Sequence, residues 1–191
     1  MKMGVLALQG AFYEHVQILQ RLGVQAVTVR LPEDLKGLQG LIIPGGESTT
    51  IGKMAERYGL LEPLRRFGAK KPMWGTCAGM ILMAKEVGAG RPLLKLMDIR
   101  VERNAYGRQL DSFESPVKAT VFQETGAHSF PGIFIRAPRL VEVRKDARVI
   151  AVLPDGAAVG ALQGRLLATS FHPELTADDR FHRYFLRLAG L

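Results

Sequence analysis

A single cysteine stands in this chain of 191 residues, and its neighbours mark it as a candidate nucleophile. Cys77 lies in Gly75-Thr76-Cys77-Ala78-Gly79, after the apolar Pro72-Met73-Trp74 and before a run with helical spacing. A nucleophile on a tight strand-to-helix turn needs small residues beside it, because its backbone is strained and other chain passes close. Gly75, Ala78 and Gly79 meet that need, and the N-terminus of the following helix favours a thiolate and any oxyanion next to it. A thiol needs a base, and Phe171-His172-Pro173-Glu174 offers one. His172 falls just past a strand-like run, Leu166 to Phe171. Glu174 is placed to accept from the second ring nitrogen and fix the tautomer. Alone, Cys77 reads as buried filler and His-Pro-Glu as a surface turn; together they read as a Cys-His-Glu triad for acyl transfer.

A third segment completes this chemistry. In Pro44-Gly45-Gly46-Glu47-Ser48-Thr49, two glycines after an apolar run free backbone N–H groups to face a ligand oxygen. An oxyanion hole from the N–H groups of Gly46 and Ala78 follows. A phosphate loop fits less well: no Lys-Ser/Thr stands at the required spacing, and Glu47 repels phosphate.

These segments need a scaffold that brings them to one edge. Gly4 to Leu8, Val24 to Arg30, Leu41 to Ile43 and Pro72 to Trp74 read as buried strands. Between them lie helical patterns over Phe12 to Leu22, Thr50 to Tyr58 and Leu61 to Phe67, then Ala78 to Lys85, with Gly23 at a helix C-terminus. Alternation of this kind predicts βαβ units on a mostly parallel sheet. From Val101 to Ser170 the pattern changes to short strands: Val117 to Phe122, Ile133 to Ile135, Leu140 to Arg144, Val149 to Leu153, Ala157 to Leu162 and Leu166 to Phe171. Pro154-Asp155-Gly156 marks a turn among them. A last helix is expected over Ala177 to Ala189, with Thr176 as cap and Asp178 and Asp179 at its positive end. The expected fold is α/β, a mostly parallel central sheet flanked by helices, with antiparallel strands added in the second half. If the strand before His172 is parallel, His172 and Cys77 emerge at one edge.

Composition sets the outer limits. With 47% hydrophobic and 23% charged residues, the chain suits one globular domain, 1–191, and not a disordered or disulfide-built one. One cysteine makes no internal disulfide, which suits a reducing compartment. The net charge of +8 comes from dispersed residues, the densest groups being Arg65-Arg66 with Lys70-Lys71, and Arg100, Arg103 and Arg108. Without a basic tract this favours an acidic protein surface over nucleic acid as partner. Met1 to Leu8 lacks the apolar core and cleavage site of a signal peptide, so a cytoplasmic protein is expected, with no membrane partner. His15, His128 and His182 stand outside any ligand-spaced cluster, so no metal is expected. His15 and His182 read as helix-surface or core-edge residues.

The chain resembles the triad-type (class I) glutamine amidotransferases. Within that class it is most similar to the family of glutaminase subunits of pyridoxal 5′-phosphate synthase. The resemblance rests on Leu8-Gln9-Gly10-Ala11, Pro44 to Thr50, Gly75 to Gly79, Glu102 to Gln109, Asp111 to Glu114, Phe134 to Pro138 and Ser170 to Thr176. The thiol turn and His-Pro-Glu mark the broad class; Arg-Asn-x-x-Gly-Arg-Gln and Phe-Ile-Arg-Ala-Pro narrow it to this family. The resemblance implies a flavodoxin-like three-layer fold and hydrolysis of glutamine to glutamate and ammonia through a γ-glutamyl thioester on Cys77. It implies glutamine contacts at Gly46, Glu47, Ser48, Arg103, Ile135 and Arg136, and no cofactor. It also implies a partner: a synthase subunit, a (β/α)₈ barrel, that takes the ammonia in a hetero-oligomer. A cysteine hydrolase on a similar sheet and a binding module with a relic triad are the alternatives. The His172-Pro173-Glu174 run after a late strand argues against the first, and an intact Cys77, His172 and Glu174 with small neighbours argues against the second.

Overall fold

Apolar runs of four or five residues, too short to be helices and covered on both faces, pair side by side as parallel strands. The computed structural model describes residues 1–103, 112–125 and 129–191. Its first half runs β1 (Lys2–Leu6), α1 (Phe12–Arg21), β2 (Gln25–Val29), β3 (Gly40–Ile43), α2 (Ser48–Arg57), α3 (Leu61–Gly68), β4 (Met73–Thr76) and α4 (Ala78–Met83). The second half is strand-rich: β5 (Ala84–Val87), β6 (Met97–Glu102), β7 (Ser112–Ala119), β8 (Ser129–Ile135), β9 (Arg139–Val143), β10 (Arg148–Val152), β11 (Ala158–Gln163) and β12 (Leu166–Thr169). The helix α5 (Arg180–Leu188) follows. The runs Asn104 to Gln109 and Asp111, and also His128, which the sequence singled out, lie outside the described residues.

Among the described residues the main sheet has the order β2-β1-β3-β4-β12-β11-β10-β7-β8. The five strands from β2 to β12 are mutually parallel, and β11, β10, β7 and β8 continue antiparallel. Alternation along each strand feeds two cores. Leu6, Leu41, Ile43 and Met73 face α2, α3 and α4, while Met3, Val5, Ile42 and Trp74 join residues of α1 and α5. The fold is thus the expected one.

Several boundaries differ: the strand expected over Val117 to Phe122 is β7 only as far as Ala119, with a 3₁₀ turn from Thr120, and three others shift for clear physical reasons. The helix after Cys77 stops at Met83 instead of continuing to Lys85. Ala84 turns to extended backbone and pairs with Met97, opening a second sheet, β5-β6-β9, that sequence reading did not single out. The helix expected from Thr50 starts at Ser48, because the Glu47 carboxylate caps it, accepting from the N–H groups of Thr49 and Thr50 at 3.0 and 2.7 Å. The last helix starts at Arg180. Thr176 caps a preceding turn instead, its hydroxyl accepting from Asp178 N–H at 3.2 Å, and Asp178 in turn accepts from Arg180 N–H at 3.1 Å.

Candidate active site

The turn that carries Cys77 is strained as expected. Cys77 joins β4 to α4 with φ 48° and ψ −104°, a left-handed conformation unusual for a side chain with a Cβ. Two residues away on each side, only glycine fits. A Cβ on Gly75 would collide with the backbone of Gly79, and one on Gly79 with the carbonyl of Ile43. The Cys77 N–H donates to Thr169 O at 2.8 Å, tying the turn to the end of β12.

β12 runs parallel to β4, with Thr169 opposite Thr76, so the chain leaves both strands at the same edge. Three residues beyond β12, His172 is anchored by its N–H, which donates to Ile133 O at 2.8 Å. Its Nδ1 lies 2.7 Å from Glu174 Oε1, and the ring also interacts with the Cys77 side chain. All three are buried, Cys77 at 6%, His172 at 7% and Glu174 at 5% exposure. Burial opposes a charged imidazole, but Cys77 and the Glu174 carboxylate outweigh it and hold His172 at about 10. At neutral pH the His172 ring beside Cys77 is therefore held protonated. The loop after β3 presses against the pair: a Cβ on Gly45 would strike the His172 ring.

A cavity of about 320 Å³ opens above them, lined by Gln9, Gly46, Glu47, Ser48, Cys77, Ala78, Ile81, Arg103, Ile135, Arg136 and His172. Every substrate and oxyanion residue expected from sequence falls in this wall; of the triad, only Glu174 lies behind it. Arg136 also has a left-handed backbone, φ 41°, and the neighbouring Ile135 carbonyl stands 3.8 Å from Cys77 Sγ. Two strained residues flank one cavity. Burial pulls the Glu47 carboxyl up, yet hydrogen bonds from Thr49 and Thr50 prevail and hold it at about 2. Arg103 donates to Thr49 Oγ1 at 2.6 Å and lies 3.5 Å from Glu47 Oε1. The Gly45 carbonyl accepts from Ala11 N–H at 3.0 Å. Because a trans peptide holds its C=O and N–H antiparallel, that bond sets the direction of Gly46 N–H.

A buried thiol, base and carboxylate under a cavity rimmed by backbone donors suit acyl transfer from a small amide or ester. The profile of the SNO glutamine amidotransferase family matches residues 5–190. This chain belongs to that family. A pyridoxal 5′-phosphate synthase subunit PdxT from Herpetosiphon aurantiacus is 55% identical over 193 residues, covering 98% of this chain and 100% of that protein. The PdxT subunit from Moorella thermoacetica is 51% identical over 192 residues, with 100% of each chain covered. A solved glutamine amidotransferase superimposes with TM-score 0.91 at 48% identity, covering 99% of each chain. PurLQS from Thermotoga maritima shares the fold alone, with TM-score 0.72 at 16% identity and 97% of each chain covered.

In this amidotransferase, sequence reading missed one residue of the cavity wall and misplaced two histidines. Ile81 lines the cavity from α4, one helical turn after Cys77. Gln9 accepts the Glu47 N–H on its Oε1 at 2.7 Å. The placement of His15 and His182 needs correction: both are fully buried, not on a helix surface or core edge. Each lies on the inward stripe of its helix, His15 with Ile18 and Leu19, His182 with Phe185 and Leu186. A polar ring at a core position of an amphipathic helix was the available signal. Among the described residues no group of His, Cys, Asp or Glu is placed to hold a metal ion, and no helix is long and apolar enough to cross a membrane.

Proposed function

We propose that this chain is the glutaminase subunit of a pyridoxal 5′-phosphate synthase. It hydrolyses L-glutamine to L-glutamate and ammonia and passes the ammonia to a synthase subunit, a (β/α)₈ barrel, within a hetero-oligomer. The observation that carries the chemistry is Cys77 on its left-handed turn, with His172 and Glu174 aligned behind it. In the reaction, Cys77 Sγ attacks the side-chain amide carbon of glutamine while His172 holds the thiol proton. The N–H groups of Gly46 and Ala78 stabilise the oxyanion. His172 returns the proton to the nitrogen as the C–N bond breaks, releasing ammonia and leaving a thioester. Water then adds to the thioester as His172 takes its proton, and glutamate departs as the thiol re-forms. Glu174 keeps His172 oriented throughout. The zwitterionic end of glutamine falls among Gly46, Glu47, Ser48, Arg103, Ile135 and Arg136, which offer fixed donors and acceptors.

Support for the partner comes from the names of the full-length relatives and from the +8 charge, which suits docking to an acidic face. The deciding experiment measures ammonia released from glutamine by the chain mixed with a synthase subunit, wild type beside Cys77→Ala. Loss of all but a trace in the variant is expected, with the fold intact. Retained activity would show that another residue is the nucleophile. A glutamine-like electrophile should also label Cys77 once per chain, and glutamine should block the labelling.

A further inference from the structure

Behind the triad lies a buried pair of histidines that the mechanism above does not use. Glu174 Oε1 is engaged by His172, but Oε2 is buried without a hydrogen-bond partner. The ring closest to serving it is His15 on α1, whose Nε2 stands 3.4 Å from Oε2 and 3.4 Å from Thr76 Oγ1. On its other side, His15 Nδ1 lies 2.9 Å from Nε2 of His182 on α5. The remaining nitrogen, His182 Nδ1, has no partner.

These contacts select one proton arrangement. Burial, then the neighbouring rings His182 and His172, hold His15 neutral. Burial likewise holds His182 neutral, with Asp179 opposing and Arg21 assisting. Two neutral rings facing each other carry one proton between them. If His15 carried it on Nδ1, its bare Nε2 would face the Glu174 carboxylate, two lone pairs together. His182 would then also bury an N–H on Nδ1 with nothing to receive it, a costly omission. With the proton on His182 Nε2, His15 carries its own on Nε2, directed at Glu174 Oε2 and Thr76. His182 Nδ1 is then a bare lone pair, the cheaper atom to leave unpartnered.

We propose that His15 is a positioning residue for the glutaminase reaction, steadying the free oxygen of Glu174 through Nε2–H, with His182 setting the His15 tautomer. The inference rests on the triad assignment above. Without His15, a buried carboxylate oxygen has no nearby donor and Glu174 is free to turn; His172 then loses its fixed orientation. The pair meets the triad at Glu174 and neither ring lines the cavity, so the rate of chemistry should suffer and glutamine binding should not.

The test is steady-state glutamine hydrolysis with the synthase subunit present, for His15→Phe, His15→Gln, Glu174→Gln and the double variant His15→Phe with Glu174→Gln. His15→Phe is expected to lower kcat about 10- to 100-fold with KM unchanged, the usual effect of removing a group that orients a functional side chain. His15→Gln, which can present an N–H at the same place, should recover most of the loss. In the Glu174→Gln background, His15→Phe should cost little more, because the carboxylate it served is gone. Wild-type kcat in folded His15→Phe, or an undiminished loss in that background, would overturn the inference. Full activity in Glu174→Gln alone would instead overturn the triad assignment. If His15→Phe does not fold, His182→Leu carries the test: releasing the tautomer should lower kcat several-fold at constant KM, and an unchanged kcat sinks the idea.

Discussion

Gln9 Oε1 accepts the backbone N–H of Glu47 at 2.7 Å, fastening the loop after β1 to the loop that walls the cavity. The same two loops meet at Gly10, where a Cβ would collide with the Gly45 carbonyl, and at the Ala11 N–H that this carbonyl accepts. The position of Gly46 is therefore set by a segment nearly forty residues earlier in the chain.

Replacing Gln9 by Leu should leave Glu47 N–H unpaired and loosen the wall around Gly46. One lost hydrogen bond of this kind costs about 1 kcal/mol. A fall of roughly fivefold in kcat with the synthase subunit is expected, with the melting temperature shifted by only a few degrees. Steady-state kinetics and a thermal melt check it; unchanged kcat would show that the Gly45–Glu47 segment holds itself.

His172→Asn should cost more than Glu174→Gln. Loss of a general base removes roughly 10²–10⁴ in rate, whereas Gln keeps an acceptor for the ring. Equal losses in the two variants would mean that Glu174 contributes charge as well as orientation. Single-turnover hydrolysis, which isolates thioester formation, separates the two cases.

The isolated chain should be a weaker glutaminase than the chain with its partner. A single hydrogen bond, Ala11 N–H to the Gly45 carbonyl at 3.0 Å, orients the Gly45–Gly46 peptide, and glycine on both sides makes rotation of that peptide easy. When the donor is turned away, about 2.7–4 kcal/mol of transition-state stabilisation is missing, on the order of 100- to 1000-fold. Ammonia release should therefore rise at least about tenfold on adding excess synthase subunit. Identical rates with and without it would mean that the Gly46 donor is permanently in place.

Acid should destabilise the fold before its carboxylates titrate. His15 is held neutral well below the usual 6.5 and His182 at about 3, so the folded chain refuses protons that the unfolded chain accepts. Stability is then lost as pH falls below about 6.5, by up to about 1.4 kcal/mol per pH unit for each ring. His172 works the other way. Its value is raised to about 10, so its contribution is complete below about 6.5 and disappears as pH rises toward 10. Urea midpoints between pH 7 and 5 should fall, and less steeply in His182→Gln. A parallel profile in that variant would locate the sensitivity elsewhere.

The parts of the site legible in the sequence are those whose signal is local. Cys77 announces itself by the glycines that its own turn requires, and His172 by the strand that ends just before it. Even the edge they share followed from one parallel pairing. What stayed hidden depends on distant partners. Nothing near Ala84 says that the helix must stop; the reason is Met97, its pairing partner in another sheet. Asp98 falls on the polar face of β6 yet is buried, and its place there is explained by Lys85 Nζ at 2.9 Å, by Lys145 Nζ at 3.7 Å and by Gln163, which holds its backbone and carboxylate. The histidine pair was invisible for the same cause, since His15 and His182 lie 167 residues apart.

Trp74, the single tryptophan of the chain, sits in the midst of that pair. Its ring centroid is 5.7 Å from His15 and 4.9 Å from His182, edge-on to both, and its Nε1–H donates to Thr169 Oγ1 at 3.2 Å. The carbonyl of that same Thr169 holds the Cys77 N–H. An indole so placed feels any charge that appears on either imidazole, and any shift of the strand end behind the nucleophile. The protein therefore carries its own optical reporter: native fluorescence, free of competing tryptophans, reads the state of the ground on which the thiol stands.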